Sequence, residues 1–168
     1  MASATTEQPM PPPFELTTFL EGRSQAWGVF EDRFGRLRRR FQVELHGFWQ
    51  DGRFVLEEHF SFDDGLRERK TWVIEPTVAG AFTARAEHVV GTAEGKPDGE
   101  VIRMRYQYRL AIGARDVIVT LDDRFYRIDD NHVCNRAAVS KWGVKIGELT
   151  IFFRRSAASD VEALRAAA

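Results

Sequence analysis

Across residues 14–155 the apolar and polar positions alternate with a period of two. The clearest run is Ile102, Met104, Tyr106, Tyr108 and Leu110, interleaved with Arg103, Arg105, Gln107 and Arg109. One face is apolar and the other basic and polar, as in a half-buried antiparallel strand. Phe41, Val43 and Leu45 alternate with Gln42, Glu44 and His46, and Phe54, Leu56, Phe60 and Phe62 mark a third face. Further strands are expected over 24–32, 70–75, 81–85, 117–128, 133–140 and 148–154. Turn signals separate them: Asp51-Gly52, Asp63-Asp64-Gly65, Ala79-Gly80, Pro97-Asp98-Gly99, Gly113-Ala114 and Asp129-Asp130-Asn131. No long amphipathic helical stripe interrupts them. The expected fold is all-β, an antiparallel up-and-down barrel, because a meander of roughly 8–10 strands closes to remove its edges. At that size the interior is either filled or holds one small ligand.

The ends read differently. Residues 1–13 carry four prolines and many small polar residues, and are expected to be a disordered tail rather than a secretory signal. Residues 156–168, with Ser159 as N-cap and Asp160 and Glu162 in a first turn, are expected to form a short helix or tail. That leaves one barrel domain over 14–155. The chain has 168 residues and a net charge of −1, so it has no field to attract nucleic acid. Its single cysteine, Cys134, is expected in the core and excludes an intrachain disulfide or a cysteine-rich metal site. No apolar run is long enough for a membrane span. A cytoplasmic protein, monomeric or homodimeric and without a cofactor, is expected. The 13 Phe belong on inward faces and many of the 13 Gly at or near turns.

One hairpin can be placed in register. If Asp63-Asp64-Gly65 is a loop with Gly65 left-handed, then Phe62 faces Leu66, Phe60 faces Glu68, Glu58 faces Lys70, Leu56 faces Trp72 and Phe54 faces Ile74. Apolar residues of both strands then share a face, which puts Glu58 and Lys70 inside among Phe60, Leu56 and Trp72.

The segment Phe19-Leu20-Glu21-Gly22 followed by Trp27-Gly28 is similar to the opening of lipocalin-like (calycin) barrels. A wider set of residues resembles a bacterial family known as domain of unknown function 3833. It comprises Trp27 to Gly35; Leu56, Glu58, Phe60, Phe62, Asp64 and Gly65; Trp72; Gly91 to Gly95 with Gly99; Asp122-Asp123; Asn135-Arg136-Ala137; Lys141-Trp142-Gly143; and Gly147-Glu148-Leu149. The chain departs from the family in having Lys70 for the usual Arg and Arg124 for the usual Trp. The resemblance implies a lipocalin-like barrel and a setting in fatty-acid modification, but no established activity.

Glu58 is the sharpest candidate. A carboxylate on an apolar inner face has a raised pKa unless paired, and Lys70 is the expected counter-ion. Asp123 shares a side with Leu121 and Phe125, whereas Asp122 sides with Thr120 and Arg124; one of the two points inward. Glu58 and Asp123 are the acid–base residues if the protein is an enzyme. Asn135, Arg136 and Lys141 are polar residues in an apolar hairpin. Arg136 either clamps a ligand carboxylate, pairs with Asp123, or closes the barrel by packing over Trp27. Trp27, Lys70, Trp72, Tyr106, Tyr108, Asn135, Arg136 and Lys141 are the candidate ligand-binding residues.

His46, His59, His88 and His132 match no metal-ligand spacing, and only His88 or His132 could serve as an axial haem ligand. Gly91 to Gly99 fails the phosphate-loop pattern and reads as strand edge and hairpin. Arg36, Arg38, Arg39 and Arg40 form a basic cluster, with Arg38 and Arg40 outward. It suits a solvated face or peripheral contact with lipid headgroups. The leading expectation is therefore a barrel that binds a small apolar or lipid-like ligand, such as a fatty acyl chain. The alternatives are a lyase, isomerase or hydrolase on such a substrate, or a structural protein with a filled barrel.

Overall fold

The computed structural model describes residues 12–157. The tail expected at the start lies, through residue 11, outside the described residues, and so does the helix expected after Ser159. A short helix, α1 (Leu16–Leu20), leads into ten strands: β1 (Gly22–Asp32), β2 (Leu37–Gln50), β3 (Arg53–Phe62), β4 (Arg67–Pro76), β5 (Phe82–Arg85), β6 (Val89–Asp98), β7 (Val101–Ile112), β8 (Arg115–Arg127), β9 (His132–Lys141) and β10 (Val144–Arg155). Each strand pairs antiparallel with its neighbours in sequence, and β1 pairs with β10 to close the barrel. The period-two pattern is the cause. A closed sheet sends alternate side chains to a core and to water.

The β3–β4 hairpin has the expected register: Phe54↔Ile74, Leu56↔Trp72, Glu58↔Lys70 and Phe60↔Glu68. Phe62 N–H donates to the Leu66 carbonyl at 2.9 Å across the turn, and Gly65 sits at φ 85°.

The two ends of the barrel are built differently. At the end beside α1, Leu16, Phe19 and Leu20 join Phe54, Ile74, Phe82, Ile102, Val133 and Phe153 in one buried cluster. Inward glycines make room for this density. A Cβ at Gly28 would overlap the Phe41 ring, one at Gly95 the Phe82 ring, and one at Gly47 both Phe54 and the Leu20 carbonyl. These glycines sit mid-strand rather than at turns, and the small–large pairing fills the taper of a small barrel.

Towards the other end the inward residues Phe60, Phe62, Lys70, Trp72, Tyr106 and Tyr108 are only half-buried. Phe41, Phe60 and Phe62 form a triangle with ring centroids 5.6, 5.7 and 5.8 Å apart. On the opposite wall, Val119, Leu121, Ala137 and Val139 make a separate buried cluster, to which Tyr106 and Leu149 connect the first.

Candidate functional site

The boundary between these halves is polar. Glu58 on β3 and Asp123 on β8 stand on opposite walls, since β3 and β8 are five strands apart in either direction round the barrel. Side chains on β4, β7 and β9 link them. Trp72 Nε1 donates to Glu58 Oε2 at 3.2 Å. The Trp72 ring meets Tyr106 edge-on with centroids 5.5 Å apart. Asn135 Nδ2 donates to Asp123 Oδ1 at 2.8 Å. The Tyr106 hydroxyl lies against the same carboxylate and favours its charged form. It does not complete a well-formed bond, because Asp123 Oδ2 is buried with no hydrogen-bond partner. An orphaned buried carboxylate oxygen is costly and calls for a donor.

Both carboxyls are displaced towards neutrality. Burial pushes Glu58 up to about 7, while the Lys70 charge and the Trp72 hydrogen bond pull it down. Burial also pushes Asp123 up to about 7. There the Asn135 hydrogen bond and the nearby Tyr106 hydroxyl oppose the rise, and the Asp122 and Glu58 charges add to it. Tyr106 is raised well above its ordinary value, first by burial and then by Asp123 and Glu58. Two buried carboxyls pushed up to about 7 can each donate or accept a hydrogen bond at neutral pH.

Glu58, Trp72, Tyr106, Asp123 and Asn135 therefore form one chain of contacts, with Tyr108 beside it at 6.4 Å from Tyr106. Lys70 is above this floor, but its only ion pair among the described residues is with Glu68, at 3.9 Å. It acts on Glu58 by charge alone, and its Nζ lies over the Phe60 and Tyr108 rings at 4.6 and 5.1 Å.

Other expected site residues are elsewhere. Arg136 is on the outer face, where its Nε donates to Glu148 Oε1 at 2.8 Å. It neither pairs with Asp123 nor packs over Trp27, because Asn135 and Ala137 take the inward positions on β9. Trp27 also points outward, since Ala26 and Gly28 beside it are the buried residues of β1. Its cationic partner is Arg154, at 5.5 Å. Lys141 lies at the end of β9 with Nζ 4.4 Å over the exposed Trp142 ring, away from the floor. His88 is exposed beside Tyr108, and His132 pairs with Asp129 at 2.9 Å, so neither projects into the interior as an axial ligand would. Among the described residues no His, Cys, Asp and Glu grouping could hold a metal ion.

Arg39 was missed as an inward residue. Its guanidinium lies 3.6 Å over Phe62 and pairs with Asp64 at 3.1 Å. The alternation that sends Arg38 and Arg40 outward was the available signal. Ser24, buried with an unpartnered Oγ, left no signal in the pattern.

Comparison with known proteins agrees with the architecture. The family described as "Protein of unknown function (DUF3833)" matches residues 2–155. Among solved structures, the S-type phycobiliprotein lyase CPES from Guillardia theta superposes with a TM-score of 0.61 at 6% identity, covering 84% of this chain and 91% of that one. The protein EF1p2_mFAP2b bound to DFHBI aligns with a TM-score of 0.44 at 11% identity, covering 83% and 95%. The first likeness shows the shared barrel fold. No curated protein matches the chain.

Proposed function

We propose, from the premise that the chain belongs to the DUF3833 family of proteins of unknown function, that its barrel binds a small lipid-like molecule, head inward. What supports this reading is that Glu58 and Asp123 are buried acids displaced towards neutrality, the second with an unpartnered Oδ2, below the half-buried rings of Phe60, Phe62 and Tyr108. A polar head bearing a donor, such as a protonated carboxylic acid or an alcohol, satisfies Oδ2. Its acceptor oxygen takes a hydrogen bond from Tyr106 or Trp72. The apolar body of the ligand then lies between Phe60, Phe62 and Tyr108 on one side and Val119 and Val139 on the other. Apolar walls with a few convergent polar groups are the usual make-up of a small-molecule pocket.

Native mass spectrometry of the purified protein is expected to find a bound lipid, and calorimetry to find binding of a medium-chain fatty acid or alcohol. Val117→Trp, which adds bulk on the inward side of β8 beyond Val119, is expected to abolish that binding without unfolding the barrel. An empty protein that binds neither probe, with the variant no different, overturns the reading.

A second reading has its own support. Two acids poised near pH 7 on opposite walls suit proton transfer to and from one substrate. On this reading Glu58 and Asp123 are the acid and base of a lyase, isomerase or hydrolase. Glu58→Gln would then abolish turnover of a bound lipid while leaving its affinity nearly intact, and conversion of no bound ligand removes this reading.

A further inference from the structure

Apart from the proposed interior site, the rim of the open end carries an apolar and cationic surface that is exposed among the described residues. Three consecutive hairpins form it, since β3–β4, β1–β2 and β9–β10 are adjacent around the barrel. Backbone bonds tie them together: Arg33 N–H donates to Ile146 O at 3.0 Å, and Asp63 N–H to Arg40 O at 3.1 Å. Their tips expose Phe34 at 67%, Leu66 at 47%, Val144 at 57% and Trp142 at 92%. Exposed apolar side chains grouped on adjacent hairpin tips mark a candidate interaction surface.

Trp142 adds an independent observation. It occupies the left-handed region at φ 49°, where a bulky residue is strained. No core packing repays that strain, because the ring is almost wholly in solvent. The tip is built to present the indole outward.

The charge is matched to this. Arg33 and Arg36 lie 4.6 and 5.7 Å over the Phe34 ring, and Lys141 lies over Trp142. None of the three has an ion pair among the described residues. The rim also carries Asp63 and Asp64, but these pair with Arg40 and Arg39, and Glu87 lies on the neighbouring β5–β6 connection, whereas the connections at the closed end carry Asp51, Glu100, Asp129 and Asp130. An indole and a phenyl ring flanked by unpaired cations have the amphipathic make-up of a membrane–water interface.

We propose that the open rim docks on the surface of an anionic lipid bilayer, with Trp142 and Phe34 inserted among the headgroups and Arg33, Arg36 and Lys141 against the phosphates. The mouth of the barrel then faces the bilayer. An exposed patch could instead take a protein or a second copy of the chain, but unpaired cations repel their own copies and attract anionic headgroups.

The test is co-sedimentation of the full chain with vesicles of phosphatidylcholine alone or mixed with phosphatidylglycerol. Binding is expected on the mixed vesicles only, and is expected to fall as salt rises. Arg33→Glu with Arg36→Glu is expected to weaken it at least about tenfold. Trp142→Asn, with a residue that tolerates the left-handed region, is expected to weaken it while leaving the melting temperature intact. Trp49→Ala at the closed end is expected to change nothing. No binding to the mixed vesicles, equal binding to both, or a homodimer in solution that Trp142→Asn dissociates overturns the proposal. The interior reading stands apart from this result, because soluble ligands test it without vesicles.

Discussion

The closed and open ends of the barrel are made from the same strands, yet they solve different problems. At the closed end the strands contribute Phe54, Ile74, Phe82, Ile102 and Phe153, laid over glycines and capped by α1. A few residues further along, the same strands contribute Glu58, Lys70, Trp72, Tyr106 and Asp123, which are charged, polar or half-wet. One end supplies the stability, and the other incurs a cost by burying two acids. Stable scaffold and strained site are thus separated along the barrel axis, not between domains.

The comparison breaks most visibly through two phenylalanines on β3. Phe54 is completely buried at the closed end. Phe54→Ala is expected to cost about 3–5 kcal/mol by chemical denaturation. Phe62→Ala, at the half-buried open end, is expected to cost a fraction of that. Equal losses would show that the open end is packed as tightly as the closed one.

The acids come next. Glu58 and Asp123 hold their protons to about 7 in the folded chain, against ordinary values of 4.5 and 3.8. The unfolded chain therefore releases its protons first, and rising pH favours it. Each acid is neutral in both states below its unfolded value, and it destabilises the fold progressively as pH rises to about 7. Asp32, Asp64, Asp129 and Glu148 are shifted down and act oppositely, losing stability only as pH falls through their low values. A decline in melting temperature from pH 5 to 7 is thus expected of the floor acids. Glu58→Gln should make it shallower, leaving the part due to Asp123, and stabilise the protein at pH 8 by roughly 3 kcal/mol, at about 1.4 kcal/mol per pH unit. A variant that is less stable at pH 8 would show that the charged carboxylate is satisfied.

The smallest effect belongs to the outer face. Arg136→Ala removes an exposed pairing with Glu148 and is expected to cost about 1 kcal/mol or less. It should leave ligand affinity unchanged, which separates the outward Arg136 from its inward neighbour Asn135.

Much of this was legible in the sequence. The β3–β4 register followed from one left-handed glycine and two alternating strands, and it put Glu58 inside. Alternation requires one of Asp122 and Asp123 to point inward without saying which, and the barrel buries Asp123. The errors share a cause. Trp27 is expected at the ligand from its place in the lipocalin-like opening and as a partner for Arg136, whereas the inner face of β1 is Ser24, Ala26 and Gly28, with the Phe41 ring against Gly28. A strand's inward side is assigned only when the opposite wall is known, and the opposite wall is a non-local fact. Asn135 and Arg136 are adjacent in a strand, so both could not face inward, and alternation alone did not say which. The contact chain through Trp72 and Tyr106 joins five strands that only the closed barrel brings together.

The pairing of β1 with β10 has a kinetic consequence. It is the last contact that chain order allows, since it joins the first strand to the final one, and it carries the largest loop-closure cost in the fold. Until that seam forms, the wall bearing Glu58 and the wall bearing Asp123 belong to an open sheet, and the burial that raises both acids is expected to be incomplete. Their neutral-range titration is therefore a clock for barrel closure. Proton uptake during refolding near pH 6 should coincide with the zipping of β1 onto β10, and transient opening of that seam in the native state should release the same protons.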